Sequence, residues 1–152
     1  MKKLLVFVPI FFLALTGCGK AKTGTIECTL NTKDAINGFE LNSTYKINYT
    51  GNYIDSVNSV ETISSEKEEL LSAFEKQLNT TYETANKVYG GYTFDVTNKN
   101  GKVVSKADID YSKMNLKQFT KDQPTLNQFV KDDKLLVEGI KSLYESMGAT
   151  CK

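Results

Sequence analysis

The sequence predicts an α+β fold in which an antiparallel sheet of about five strands carries two helices on one face. Large apolar and polar residues alternate in several segments, which is typical of strands with one buried face. Turns rich in asparagine and glycine separate these segments, and such turns join antiparallel neighbours. Two other segments repeat their apolar residues at helical spacing. The resulting order β-β-β-α-β-β-α favours a sheet with both helices packed against one face.

The first three strands are predicted from alternation interrupted by turns at Asn37-Gly38 and at residues 50–52. In the third segment, the apolar residues between Ile54 and Ile63 recur every three positions. This spacing suits neither an ideal strand nor an ideal helix, so it predicts a strand with a β-bulge. The alternating residues of the first two strands are Ile26, Cys28 and Leu30, followed by Phe39, Leu41, Tyr45, Ile47 and Tyr49.

The remaining elements are two helices and a hairpin. The segment Ser65-Glu66-Lys67-Glu68 has the form of a capping box with Ser65 as N-cap, so we expect the first helix over about 66–85. Alternating residues predict a hairpin over about 92–111. A second helix is expected over about 131–147, with Gly148 as its C′ residue.

The N-terminus has the form of an export signal. Two lysines precede an apolar stretch, residues 4–15, that is too short to span a bilayer permanently. The following Leu15-Thr16-Gly17-Cys18 resembles the lipobox of bacterial lipoproteins, which implies acylation of the Cys18 sulfur. An ordinary signal peptide followed by a chance cysteine is the alternative. We expect removal of residues 1–17.

This interpretation predicts where the chain works. Residues 18–25 would form a short lipidated tether, and residues 26–152 a single extracytoplasmic domain. A diacylglyceryl group on Cys18 supplies the two acyl chains that stable anchoring requires. We therefore expect the domain on the outer face of the cell membrane, held there by lipid.

Composition excludes several classes of function. The chain has no histidine, and its cations are all lysines. It therefore has neither a Ser-His or Cys-His nucleophile pair nor a histidine-ligated zinc or copper site, and it lacks the guanidinium fork that binds phosphate. After signal removal, 17 lysines face 18 acidic residues, so electrostatics predicts no nucleic-acid partner. No cofactor or metal ion is predicted.

Two cysteines remain once Cys18 is lipidated. Cys28 and Cys151 lie near opposite ends of the mature chain. Outside the cytoplasm such a pair favours a disulfide over free thiols. The bond would close a loop of about 120 residues, and the chain-entropy model assigns such a loop roughly 5 kcal/mol.

Several acidic residues are candidates for chemistry. Asp108 and Asp110 lie two apart on a predicted strand, so both face the same side and could bind a cation or share a proton. The solvated face of an antiparallel sheet produces the same pattern without function. Asp132 and Asp133 are better explained as acidic residues at a helix N-terminus.

Serine, lysine and tyrosine residues offer weaker candidates. The neighbours Ser105-Lys106 and Ser112-Lys113 would point to opposite faces of a strand, which excludes a dyad within either pair. Without tryptophan, tyrosine is the large amphipathic contact residue of this chain. Tyr89 and Tyr92 flank Gly90-Gly91 and form the candidate binding surface, although packing of tyrosine rings in the core is the alternative.

The chain resembles the YehR-type family of small bacterial lipoproteins, whose function is largely unknown. The resemblance rests on Cys18, the segment from Tyr45 to Asn52, the acidic helix start at 65–69, the segment from Ile109 to Lys113 and the late helix ending near Gly148. It implies an α+β fold and a membrane-anchored location, and it implies no catalytic residues.

Three functions follow from these observations. The first is a non-catalytic, membrane-anchored domain that binds an envelope protein or a cell-wall glycan. The second is an accessory or inhibitor module of an exported enzyme, acting through a sheet edge or an exposed hairpin. The third is a hydrolase that uses carboxylates, since histidine is absent.

Overall fold

The computed structural model describes residues 21–152. The signal peptide predicted at residues 1–17 and the acylation site predicted at Cys18 lie outside the described residues. The elements in chain order are β1 (Thr23–Asp34), β2 (Phe39–Thr50), β3 (Tyr53–Ser65), α1 (Glu68–Tyr89), β4 (Tyr92–Lys99), β5 (Lys102–Asp110), α2 (Leu116–Asp122), a 3-10 helix (Pro124–Phe129), β6 (Val130–Lys131), β7 (Lys134–Leu135), α3 (Val137–Ser146) and β8 (Thr150–Cys151).

Six of these strands form one antiparallel sheet in the order β4-β5-β3-β2-β1-β8. The predicted α+β class and the antiparallel pairing of the five long strands are confirmed. The sixth strand, β8, adds two residues to the outer edge of β1. Strand β1 begins three residues earlier than the sequence predicted, because Thr23, Gly24 and Thr25 pair with the end of β2.

The bulge predicted in β3 is present. Asn48 of β2 pairs with Ser56, whereas its neighbour Tyr49 pairs with Ile54, which leaves Asp55 as the extra residue. The Asp55 carboxylate accepts a hydrogen bond from the Thr50 hydroxyl at 2.7 Å. The bulge therefore sits where β2 and β3 join and bends that end of the sheet.

All three α-helices pack on one face of the sheet, over two halves of it. Helix α1 covers β3, β5 and β4, where Ile63, Leu71 and Val103 form a buried cluster. Helix α3 covers β1, β2 and β3 and buries Ile140 over Ile47 in a larger cluster that also includes residues from α2 and the 3-10 helix. The opposite face of the sheet is polar and exposed, as is usual for an antiparallel sheet with one solvated face.

The predicted capping box at the start of α1 is not formed. The helix begins at Glu68, and its N-cap, Lys67, makes no side-chain capping bond. Ser65 is the last residue of β3, and its hydroxyl donates to the Gly38 carbonyl at 2.7 Å while accepting from the Lys67 amide. Tertiary contact with the β1–β2 turn thus replaces the local cap.

The prediction of a helix over 131–147 is wrong in its first third. Residues 130–135 form the β6–β7 hairpin, with Asp132 and Asp133 at its turn, and α3 begins only at Val137. Asp132 and Asp133 have φ of 52° and 56°, in the left-handed region that a right-handed helix cannot use. The helix-terminus explanation for these two aspartates is therefore wrong. Gly148 follows the C-cap residue of α3, as predicted.

The predicted disulfide is formed. Cys28 and Cys151 lie directly opposite each other on β1 and β8, with their Cα atoms 4.0 Å apart. The Glu27 and Lys152 backbones exchange two further hydrogen bonds of 3.0 and 2.9 Å. The bond therefore closes the C-terminus onto the edge of the sheet and holds α3 over β1.

Candidate functional site

A cleft of about 1240 Å³ opens at the end of the sheet where β2 joins β3 and β5 ends. Its walls come from the β2–β3 turn, the segment after β5, the start of α2 and the β6–β7 hairpin. Ala21, the first residue that the structure describes, also lines it. The cleft therefore lies at the end of the domain where the chain enters from its N-terminal segment.

Backbone hydrogen bonds hold the walls of the cleft together. The Val137 amide donates to the Asn52 carbonyl at 2.9 Å, and the Tyr111 amide donates to the carbonyl of the bulge residue Asp55 at 3.0 Å. Leu136 also forms an isolated bridge with Tyr53. Segments far apart in the sequence thus meet at one end of β3, which explains why no local motif marks the cleft.

The β6–β7 hairpin forms one lip of the cleft and concentrates charge there. Lys131 pairs directly with Lys134, and Asp132 and Asp133 occupy the turn between them. The Tyr53 hydroxyl donates to Asp132 Oδ2 at 3.0 Å, and Lys134 Nζ lies 5.5 Å from the centre of the Tyr53 ring. Tyr53 therefore fixes the lip against the sheet through a hydrogen bond and a cation–π contact.

Asp110 lies on the opposite side of the cleft and is fully engaged. Its carboxylate accepts from Lys113 Nζ at 2.8 Å and from the Ser112 hydroxyl at 2.6 Å. The bonds from Lys113 and Ser112 lower the pKa of Asp110 to about 2. Ser112 and Lys113 thus converge on one carboxylate, whereas the sequence predicted that they point apart. The reason is that β5 ends at Asp110, so both residues belong to a turn.

Asp108 does not share this site. It is exposed on the open face of the sheet, where its carboxylate accepts a hydrogen bond from the side-chain amide of Asn58. Asp110, in contrast, is paired with Lys113. Each carboxylate has its own partner, and the two form no hydrogen bond with each other among the described contacts.

The floor of the cleft is largely apolar. Tyr111 is 7% exposed and packs edge-on against Phe119, with Met114 beside it in the same core cluster. Burial raises the pKa of Tyr111 well above its ordinary value, and Tyr144 and Tyr92 add to the effect. The Tyr111 hydroxyl forms no hydrogen bond with any residue in the described range 21–152.

Tyr89 and Tyr92, the candidate binding surface from the sequence, do not line the cleft. The Tyr89 hydroxyl donates to Asp122 Oδ2 at 3.0 Å, and its ring packs edge-on against Phe119. Tyr92 lies on the helix-covered side of β4, where burial, followed by Tyr89 and Tyr82, raises its pKa to about 12. Both rings are half-buried against the core, so they join α1 and β4 to the rest of the domain.

A polar seam that was not predicted from the sequence lies between the two core clusters. Glu61 lies on the helix-covered face of β3, where its carboxylate accepts from the Tyr45 hydroxyl at 2.8 Å and from the Tyr82 hydroxyl at 3.2 Å. Ser105 donates in turn to Tyr82 at 3.2 Å. A charged residue at an inward position of β3 was the sequence signal for this seam. Its members satisfy one another, whereas the neighbouring Ser43, which pairs with Glu61 across β2 and β3, has a buried hydroxyl without a partner among the described residues.

Within residues 21–152, no three histidine, cysteine, aspartate or glutamate side chains are arranged to hold a metal ion. No helix in that part of the chain is long and apolar enough to cross a bilayer.

Two solved structures share this fold. An NMR structure of a protein from Streptococcus pneumoniae covers 100% of this chain and 96% of its own, with a TM-score of 0.51 and 14% identity. The NMR structure of the Escherichia coli YehR protein covers 86% of this chain and 91% of its own, with a TM-score of 0.53 and 15% identity. No protein-family profile matches the chain, and no curated protein matches it. These similarities show a YehR-like fold.

Proposed function

We propose that the chain is a membrane-anchored extracytoplasmic lipoprotein whose domain binds an envelope component or protein partner without catalysing a reaction. The signal peptide is residues 1–17, and Cys18 carries the acyl chains. The cleft is the binding site. The supporting observation is its position, because Ala21 lines the cleft only three residues after Cys18.

Three residues span at most about 10 Å, so the anchor would hold the mouth of the cleft close to the membrane surface. Lys22 helps to fix this geometry, because its carbonyl accepts from the Gly51 amide at 2.8 Å at the β2–β3 turn. Residues 21–25 belong to the domain end rather than to a free linker, since β1 begins at Thr23. The ligand or partner would therefore lie at or near the outer face of the membrane that holds the anchor.

The absence of catalysis is part of the proposal and is supported by the chemistry of the cleft. Histidine is absent from the chain, and the Asp110 carboxylate, with its pKa of about 2, is a poor proton carrier at neutral pH. Lys117 and Lys134 provide positive charge at the rim, and Asn115 and Asn127 provide amide groups. Such a set recognises a polar ligand more readily than it activates one.

The anchor and the binding site can be tested together. We expect the full-length chain to incorporate labelled fatty acid and to remain with membranes, and the Cys18→Ala variant to incorporate none. A photo-crosslinker at Lys117 should capture an envelope molecule in intact cells, and capture should fall with Lys134→Ala. Failure of the full-length chain to incorporate the label, or identical capture from the opposite end of the sheet at Lys99, would refute the proposal.

The second candidate is an accessory or inhibitor module of an exported enzyme. The observation that favours it is the outer edge of β4, an eight-residue edge strand that, among residues 21–152, pairs only with β5. Such an edge can accept a strand from another protein. A crosslinker at Thr97 on β4 that captures an exported enzyme, with no capture from Lys117 in the cleft, would favour this candidate over the first.

A further inference from the structure

We propose that the cleft binds the zwitterionic headgroup of a membrane phospholipid, namely a phosphate joined to a primary ammonium group. The inference rests on the proposed function, because lipidation at Cys18 is what would bring the cleft to the bilayer. At that position the phospholipid headgroups would be the most concentrated molecules in contact with it. The charge, the hairpin and the floor of the cleft each fit this ligand.

The rim of the cleft carries both signs of charge. Lys117 and Lys134 supply ammonium groups, and Asp55 and Asp133 supply carboxylates, while Lys113 already neutralises Asp110. A rim of mixed sign does not select a simple anion or a simple cation. It suits a ligand with both charges, with the phosphate beside the lysines and the amine beside the aspartates.

The turn of the β6–β7 hairpin, which forms the lip of the cleft, has a left-handed backbone conformation that aspartate disfavours. Asp132 and Asp133 both have positive φ, and the like charges of Lys131 and Lys134 face each other across the hairpin. The β4–β5 turn, far from the cleft, also has positive φ at two consecutive residues. It uses Asn100-Gly101 there, the favoured pair for such turns. A strained, fully charged turn at the cleft, beside a relaxed one elsewhere in the same sheet, indicates that the charges serve recognition.

The floor of the cleft suits the part of a phospholipid next to its headgroup. Leu116, Val130 and Leu135 offer apolar contacts below the charged rim. At the same level, Asn115 and Asn127 offer side-chain amides that can donate to a phosphate or ester oxygen. A polar headgroup at the rim would thus continue into the glycerol and first methylene groups at the floor.

The test uses the exported Cys18→Ala chain, which lacks the lipid that would otherwise hold it to membranes. We expect O-phosphoethanolamine to shift the backbone NMR signals of residues around Tyr53, Tyr111 and Lys134, and phosphate or ethanolamine alone to shift them far less. The same chain should float with phosphatidylethanolamine–phosphatidylglycerol vesicles and only weakly with phosphatidylglycerol vesicles.

Variants of the lip separate recognition from folding. Asp132→Asn/Asp133→Gly keeps a turn of the favoured type and removes both carboxylates, so folding should be maintained while vesicle binding falls about fivefold. Lys134→Gln should weaken binding by a similar factor. Lys99→Gln, on the hairpin at the far end of the sheet, is the matched control and should bind like the parent.

The outcomes distinguish this inference from the proposed function. Binding to phosphatidylglycerol vesicles that equals binding to mixed vesicles, or unchanged binding in the lip variants, would overturn the headgroup site and leave the anchor intact. Headgroup-dependent shifts in the cleft support the site. Failure of the native chain to incorporate fatty acid would instead remove the anchor, which is detected without reference to the cleft.

Discussion

The two halves of the sheet are covered in different ways. Over β3, β5 and β4, one regular 22-residue helix buries Leu71 against Ile63 and Val103 of the sheet. Over β1 and β2, the cover is the shorter helix α3, which packs against the 3-10 helix that follows α2 and is closed by a disulfide. The first half is built from repeating local patterns, whereas the second is assembled from long-range contacts. The cleft lies beside the second half.

The disulfide is expected to have the largest effect on this contrast. In exported chains that carry Cys18→Ala, Cys28→Ala/Cys151→Ala should lower the free energy of unfolding by about 3 to 5 kcal/mol, since it removes a constraint across most of the chain. Urea unfolding followed by tyrosine fluorescence measures the loss. Hydrogen exchange should accelerate most in Val137–Cys151.

The oxidised Cys18→Ala chain is the control for that comparison. The free energy of unfolding could fall by less than about 1 kcal/mol, or hydrogen exchange could accelerate equally in α1. Either result would show that the part of the domain covered by α3 does not depend on the disulfide.

Matched core truncations should sharpen the contrast. Leu71 and Ile140 are both 0% exposed, one in each half, so Leu71→Ala and Ile140→Ala should each cost about 3 kcal/mol. We expect hydrogen exchange in α3 to respond more to Ile140→Ala than to Leu71→Ala, because the seam at Glu61 separates the two clusters. Val88→Ala, at an exposed position of α1, should change stability by no more than about 0.5 kcal/mol. Identical hydrogen-exchange patterns in Leu71→Ala and Ile140→Ala would contradict the expectation that the two core clusters respond separately.

The smallest effect concerns the turn where the chain passes from one half to the other. Asp110 has a folded pKa of about 2, below its ordinary 3.8, so its contribution to stability is complete above pH 3.8 and is lost as pH falls toward 2. Lys113→Gln should raise the pKa of Asp110 and flatten this pH dependence. Carboxyl NMR titration measures both chains, and an unchanged Asp110 pKa in the variant would contradict the assigned cause.

Asp34 is the internal control for this titration. Its pKa is lowered by hydrogen bonds from Asn37 at the opposite end of the sheet, so Lys113→Gln should leave it unchanged.

The sequence predicted the long strands of the sheet well and the segment leading into α3 poorly. Alternation from Phe39 to Tyr49 and in the β4–β5 hairpin identified strands because one buried face repeats every second residue. In the α3 half, Leu135 was assigned to a helix because apolar residues recur nearby at helical spacing. The structure buries Leu135 in β7 instead, and the positive φ of Asp132 and Asp133 explains the difference.

The candidate site was predicted only in fragments. Asp110 and Asp133 were predicted to serve a paired-carboxylate site and a helix terminus, Tyr53 was only one of several candidate surface tyrosines, and Lys117 and Lys134 were not singled out. Their convergence depends on the bulge at Asp55 and on backbone bonds such as Val137 to Asn52. The sequence predicted the bulge, but one sequence does not reveal the backbone bonds, because each joins residues that are far apart along the chain.

Sequence alone determined the α+β class, the antiparallel order of the long strands, the bulged third strand and the pairing of Cys28 with Cys151. These properties follow from local periodicity, turn residues and a count of two cysteines. Tertiary structure decided where α1 and α3 begin, which carboxylates acquire partners and where the cleft opens. Those features depend on which distant backbone groups satisfy one another, and that choice is made only when the sheet and its cover are packed together.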